Sequence, residues 1–151
     1  MRTYLVVIDE SPEASLAIRF AARRAAKTGG GVHVVTVTEP QEFVAWGGVQ
    51  ATIEAEAQER AEQLVNAAAG ALVAESGIRP SVTVREGRAA DIVREIIETE
   101  TDIAALVLGA AATGAPGPLV SHFTGNDAGT LRCPVMIIPG SLSPEDVDRL
   151  S

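Results

Sequence analysis

A strand that is apolar on consecutive residues, rather than on alternate ones, has two faces to bury. This chain holds three such runs, 3–8, 103–108 and 134–138. They read as parallel strands covered by helices above and below. A fourth run, 32–38, is built from Val and Thr around His33, and a fifth, 81–85, alternates. Between the runs the periodicity becomes helical. Ser11, Pro12 and Glu13 place a hydroxyl N-cap, a first-turn proline and an acid ahead of the stripe Ala14, Ala17, Ile18, Ala21 and Ala25. Three glycines, 29–31, stop that helix after Lys27 and Thr28. The apolar face from Ile53 through Ala61, Leu64 and Val65 to Leu72 predicts the longest helix, over about 52–75. Ile92, Val93, Ile96 and Ile97 predict another over 89–98. A Gly/Pro/Ala segment and a short helix of poor propensity separate the last two strands, and Ser143, Pro144, Glu145 and Asp146 form the cap of a short terminal helix.

Strands alternating with helices in one small domain select an α/β fold, a doubly wound open parallel five-stranded sheet with right-handed crossovers and helices on both faces. The 151 residues hold no linker-like tract or repeat, so we expect one domain over 1–140 and a tail with a short helix over 141–151. Hydrophobic residues make up 46% but aromatics only 3%, so Ala, Val, Ile and Leu must build the core. Lys27 is the sole lysine and the net charge is -8, which argues against nucleic acid, whose binders need a basic face. Cys133 has no partner for an internal disulfide, and the apolar start is too short for a signal peptide or a membrane span. These features predict a reduced, cytoplasmic setting away from membranes.

Doubly wound sheets bind ligands outside the carboxyl ends of their strands, where the strand order reverses. The loops after strands one and four, which begin at Asp9 and Gly109, therefore carry most interest. Asp9-Glu10-Ser11-Pro12 replaces the glycine fingerprint of dinucleotide sites, and the loop from Gly109 to Gly114 continues with Ala115-Pro116 where a P-loop needs Lys and Ser or Thr. A phosphate-receiver site fails because 134–139 offers no Lys or Arg. His33 and His122 stand apart without ligand-spaced neighbours, so no metal centre is expected, and no G-x-S-x-G elbow supports a hydrolase. Cys133 reads as a small buried hydrophobe.

Three stretches together resemble the universal stress protein family over about 3–139. They are Val6-Val7-Ile8-Asp9-Glu10-Ser11-Pro12, then Glu86-Gly87-Arg88-Ala89-Ala90-Asp91-Ile92-Val93, and finally 102–109 followed by Cys133-Pro134-Val135. The resemblance implies strand order 3-2-1-4-5, an adenine nucleotide alpha hydrolase-like fold, and a dimeric, non-catalytic regulatory module that binds ATP or AMP in some members and not in others. It implies a homodimer formed across the edge of the fifth strand, between Pro134 and Ile138, where Met136 and Ile137 are apolar on both faces.

By its position at the carboxyl end of the first strand Asp9 would accept hydrogen bonds from a ribose or adenine, and by the resemblance Val37 would wall the base. Gly109, Gly114 and Gly117 would let backbone approach phosphates, and Ser121 or Thr124 would cap the following helix. The chain departs from the family's phosphate motif, G-x2-G-x9-G-[ST]. Counting from Gly109, its later glycines fall on Ala112 and His122, and Pro116 and Pro118 lack N–H donors. Any cation must then come from Arg88 or Arg132. Two main readings stand: an adenine-nucleotide binder with a degenerate phosphate loop, or a member acting through an unidentified protein partner alone, with Phe43 and Trp46 as contacts. Slow ATP hydrolysis ranks third, since no base or acid pair is placed for it.

Overall fold

The chain is described by a computed structural model covering residues 1–40 and 48–151, with side chains at 1–40 and 51–151. Phe43 and Trp46 lie outside the described residues. Five strands, β1 (Thr3–Val7), β2 (Gly31–Thr38), β3 (Ser81–Glu86), β4 (Ile103–Ala110) and β5 (Val135–Pro139), form one parallel sheet in the order β3-β2-β1-β4-β5. Five helices, α1 (Pro12–Thr28), α2 (Gly48–Ser76), α3 (Ala89–Thr99), α4 (Pro118–Phe123) and α5 (Pro144–Leu150), connect and follow them. The expected fold class and strand order are both present.

β1 runs in register with β2 from Thr3 opposite Gly31 to Val7 opposite Val35, and with β4 from Tyr4 opposite Ala105 onward. Its alternating side chains divide the core. Tyr4, Val6 and Ile8 meet the alanines of α1, Val65 and Leu72 of α2 and Val147 of α5. Leu5 meets Ile92, Val93, Ile96 and Ile97 of α3 and Phe123 of α4 on the other face. Small residues on α1 bring its backbone close to the sheet, which is why a chain so poor in aromatics still packs two layers of helix. Gly87 serves a similar purpose at the start of α3. Its φ of 147° is a conformation that favours glycine, and a Cβ at this position would lie 2.9 Å from Ile92 Cδ1, so that this side chain would have to shift.

His33 lies buried on β2 with its needs met. Nδ1 is 2.9 Å from Glu100 Oε2 and Nε2 is 2.7 Å from Thr83 Oγ1, so the imidazole ties β2 to β3 and to the end of α3. This is a satisfied core histidine.

The terminal helix is part of the packed structure. Ser143 and Asp146 form a complete capping box, and Val147 is fully buried against α1, a burial worth roughly 1.5–3 kcal/mol. Arg19 of α1 grips Asp148 in a two-point contact, Nε to Oδ1 and Nη2 to Oδ2, both at 2.7 Å. Arg23 approaches the same carboxylate at 3.3 Å. The Arg19 hydrogen bond holds the Asp148 carboxyl below its usual range, and hydrogen bonds from the Ser143 backbone and hydroxyl do the same for Asp146.

Both depressed carboxyls contribute stability that is complete above the ordinary Asp value and lost as pH falls through the folded values. We therefore expect Val147 methyl NMR signals to leave their native positions as pH is lowered below about 3.9, before those of Leu5 and Val6 do. Asp148→Asn should loosen α5 already at neutral pH.

Candidate functional site

The crevice at the carboxyl end of β1 is built by continuation of the β1–β2 ladder past the strand itself. Ile8 N–H donates to Val35 O at 2.9 Å, and the buried Thr36 hydroxyl donates to Ile8 O at 3.1 Å. The chain then turns away at Asp9. Asp9 Oδ1 accepts the Ser11 N–H at 2.9 Å and also the Ser11 hydroxyl, the self-closing turn that Asp favours. Ser11 does occupy the N-cap position of α1, but its hydroxyl is bonded to Asp9 and makes no capping bond to the helix.

Beside this turn lies a cavity of about 190 Å³, lined by Val7, Ile8 and Val37 from the sheet and by residues 116–120 at the start of α4. Asp9, Val37 and Gly117 come together here. Gly109, Gly114 and Ser121 do not line it. A Cβ at Gly109 would fall 2.5 Å from Glu13 O, so this glycine lets the end of β4 lie against the first turn of α1. Gly114, at φ 74°, sits in an open part of the loop. The expected capping role of Ser121 and Thr124 is corrected: Gly117 holds the N-cap position of α4, Ser121 lies exposed inside the helix, and Thr124 stands at its C-terminal end. Pro118 initiates the helix three residues earlier than Ser121 allows, because its fixed φ suits the first turn.

Sequence reasoning missed the acids of the crevice. Glu13 and Glu39 line the same cavity as Asp9. Glu39 Oε1 reaches within 3.5 Å of the Ala89 N–H, so a resident carboxylate faces the start of α3. The position of Glu13 in the first turn of a helix pointing at the crevice was the available signal; nothing local singles out Glu39. Arg88, one of the two expected cations, is 3.8 Å from Asp91 and does not line the cavity, and neither does Arg132. A guanidinium beside the crevice comes from α2 instead. Arg60 borders an adjoining recess of about 250 Å³ together with Asp9, Glu10, Thr36, Thr38 and Glu39.

Other reactive side chains have local structural partners. His122 Nε2 is 2.7 Å from Asp127 Oδ2, at the far end of α4 from Gly117. Cys133 is half-buried beside β4, and burial pushes its thiol pKa up, away from reactivity. Among the described residues no three His, Cys, Asp or Glu side chains group to hold a metal ion, and no helix is long and apolar enough to cross a membrane.

The model of the universal stress protein family matches residues 1–139, leaving α5 beyond it. Solved structures share the fold. The universal stress protein UspA from Lactobacillus plantarum superposes with a TM-score of 0.76 at 17% identity, covering 91% of this chain and 97% of that one. A universal stress protein in complex with cAMP superposes at 0.63 and 17% identity, covering 93% and 98%. The universal stress protein from Archaeoglobus fulgidus in complex with dAMP superposes at 0.55 and 18% identity, covering 91% and 97%. No curated protein matches the chain.

The close approach at Gly109 has a measurable consequence. Gly109→Ala should destabilise the fold by about 1–3 kcal/mol, read as a lower urea midpoint, because Ala would press on the Glu13 backbone.

Proposed function

The chain belongs to the universal stress protein family, and we propose that it is a cytoplasmic, non-catalytic regulatory module whose crevice takes an adenine-containing ligand. The observation that carries this reading is the apolar-floored cavity at the carboxyl end of β1, where Asp9, Val37 and Gly117 converge. Position and chemistry agree there. A switch-point crevice is where an open α/β sheet receives a ligand, and Val7 and Val37, on the same face of the sheet, offer a flat base two aliphatic contacts. The carboxylate of Asp9 adds an acceptor for a ribose hydroxyl or an exocyclic amine. The complexes of related folds with cAMP and dAMP support the same ligand chemistry.

The loop that would meet phosphates is poor in donors. Pro116 and Pro118 have no N–H, and the Ala111 N–H is already bonded to Pro116 O at 3.1 Å.

We further propose that two chains pair across the outer edge of β5. Within the described chain β5 pairs with β4 alone, and Val135, Met136 and Ile137 are only half-buried. An unpaired apolar edge is stabilised by a second copy in a two-fold arrangement.

The test of the ligand is extraction of freshly purified protein with acid, identification of any nucleotide, and calorimetric titration of the emptied protein with AMP. Saturable binding that Val37→Arg abolishes is the expected outcome. Absence of both a retained and an added nucleotide would leave the alternative, a module acting through protein contacts alone. Light scattering should give the mass of two chains, and Met136→Lys, which charges the edge strand, should give one.

A further inference from the structure

Resting on the adenine reading of the crevice, we infer that the site selects against phosphate, so that the uncharged nucleoside adenosine is bound more tightly than AMP, and AMP more tightly than ATP. Four observations carry it.

The first is the charge of the walls. Asp9, Glu13 and Glu39 line the cavity, and among the described residues that line it none is Lys or Arg. The adjoining recess adds Glu10 against the single guanidinium of Arg60. A phosphate placed in either would face more carboxylates than cations, and in a partly enclosed site such like charges are screened less than in bulk water.

Backbone donors are the second consideration. Family-type phosphate loops hold anions with successive N–H groups, yet Pro116 and Pro118 interrupt the series where the loop closes on the cavity. α4 then supplies only six residues and begins on one of those prolines, so it contributes little dipole. Third, among the described residues the two longer helices that start at the cavity each meet a carboxylate there: the first N–H of α3, that of Ala89, is faced by Glu39 Oε1 at 3.5 Å, and α1 begins on Pro12, which has no N–H, with Glu13 in its first turn. The place where a phosphate would gain most is taken by a carboxylate of the protein. Fourth, the glycine that the sequence offered for close phosphate approach, Gly109, is filled against Glu13 O and is turned to packing.

What remains suits a neutral purine nucleoside. The aliphatic side chains of Val7 and Val37 accept the base, and carboxylates are good acceptors for ribose hydroxyls, which donate. The same carboxylates that repel a phosphate therefore favour a sugar.

The experiment is isothermal titration of the whole chain, freed of ligand, with adenosine, AMP and ATP, the last with and without Mg²⁺, at low and high salt. Adenosine should bind tightest and ATP at least about tenfold more weakly at low salt, with the gap narrowing at high salt as repulsion is screened. Glu39→Gln and Glu13→Gln, checked for native circular dichroism, should each shrink the adenosine-to-ATP affinity ratio by roughly threefold. ATP binding as tightly as adenosine at low salt, or a ratio unmoved by both variants, overturns the inference while leaving the adenine reading intact. Failure of all three ligands to bind overturns both.

Discussion

The rest of the molecule depends on burying both faces of β1. Leu5 and Val6, adjacent in the chain, point to opposite sides of the sheet and are both wholly inaccessible. Covering them requires helices on each face, and a parallel sheet can supply these only through crossovers that leave one edge and return to the other side. Because β1 stands at the centre, between β2 and β4, the crossovers diverge from its carboxyl end. The crevice is therefore a by-product of how the core is covered. Its floor is the top of the same apolar strand, which explains why the cavity is aliphatic although the surface is acidic.

That acidity takes a definite form at the crevice. A net charge of -8 spread evenly would be screened and of little consequence to a ligand. Here Asp9, Glu13 and Glu39 are drawn to one cavity from three different segments, the β1 turn, the first turn of α1 and the end of β2. Two of these placements have local reasons: Asp9 closes its own turn with Ser11, and Glu13 stands where a helix start favours an acid. Several positive side chains are engaged elsewhere. Arg19 and Arg23 hold Asp148, Arg85 holds Glu95 at 2.9 Å, and Arg94 lies between Glu98 and Asp127. Folding thus commits several guanidinium groups to holding α5 on α1, α3 on β3 and the segment after α4 on α3, and leaves the crevice anionic.

Much of this architecture was legible in the residues, and the parts that were not share a cause. Consecutive apolar residues and helical stripes are local patterns, so all five strands and the helices α1, α2, α3 and α5 could be read directly, and the order of strands followed from resemblance. Ser121 was misjudged because a cap is defined by where the chain enters the helix, and Pro118 set that point earlier. Ala22, off the expected stripe of α1, is buried because α1 is covered on more than one side, by the sheet, α2 and α5. Gly109 carried the right residue type for a phosphate loop, but its neighbour is Glu13, ninety-six positions away in the chain, and no local pattern announces such a contact.

By itself the sequence determined the class of fold, the aliphatic makeup of the core and the poverty of the phosphate loop, because strand burial, side-chain volume and the missing N–H of proline are properties of residues and their immediate neighbours. Only the tertiary structure decided which carboxylates share the crevice, which arginines are withheld from it, and that the last helix is locked to the first. Those outcomes depend on distances between segments far apart in the chain. Electrostatic interaction is a function of such distances, so the composition could state the sum of the charges but not where in the molecule they would act.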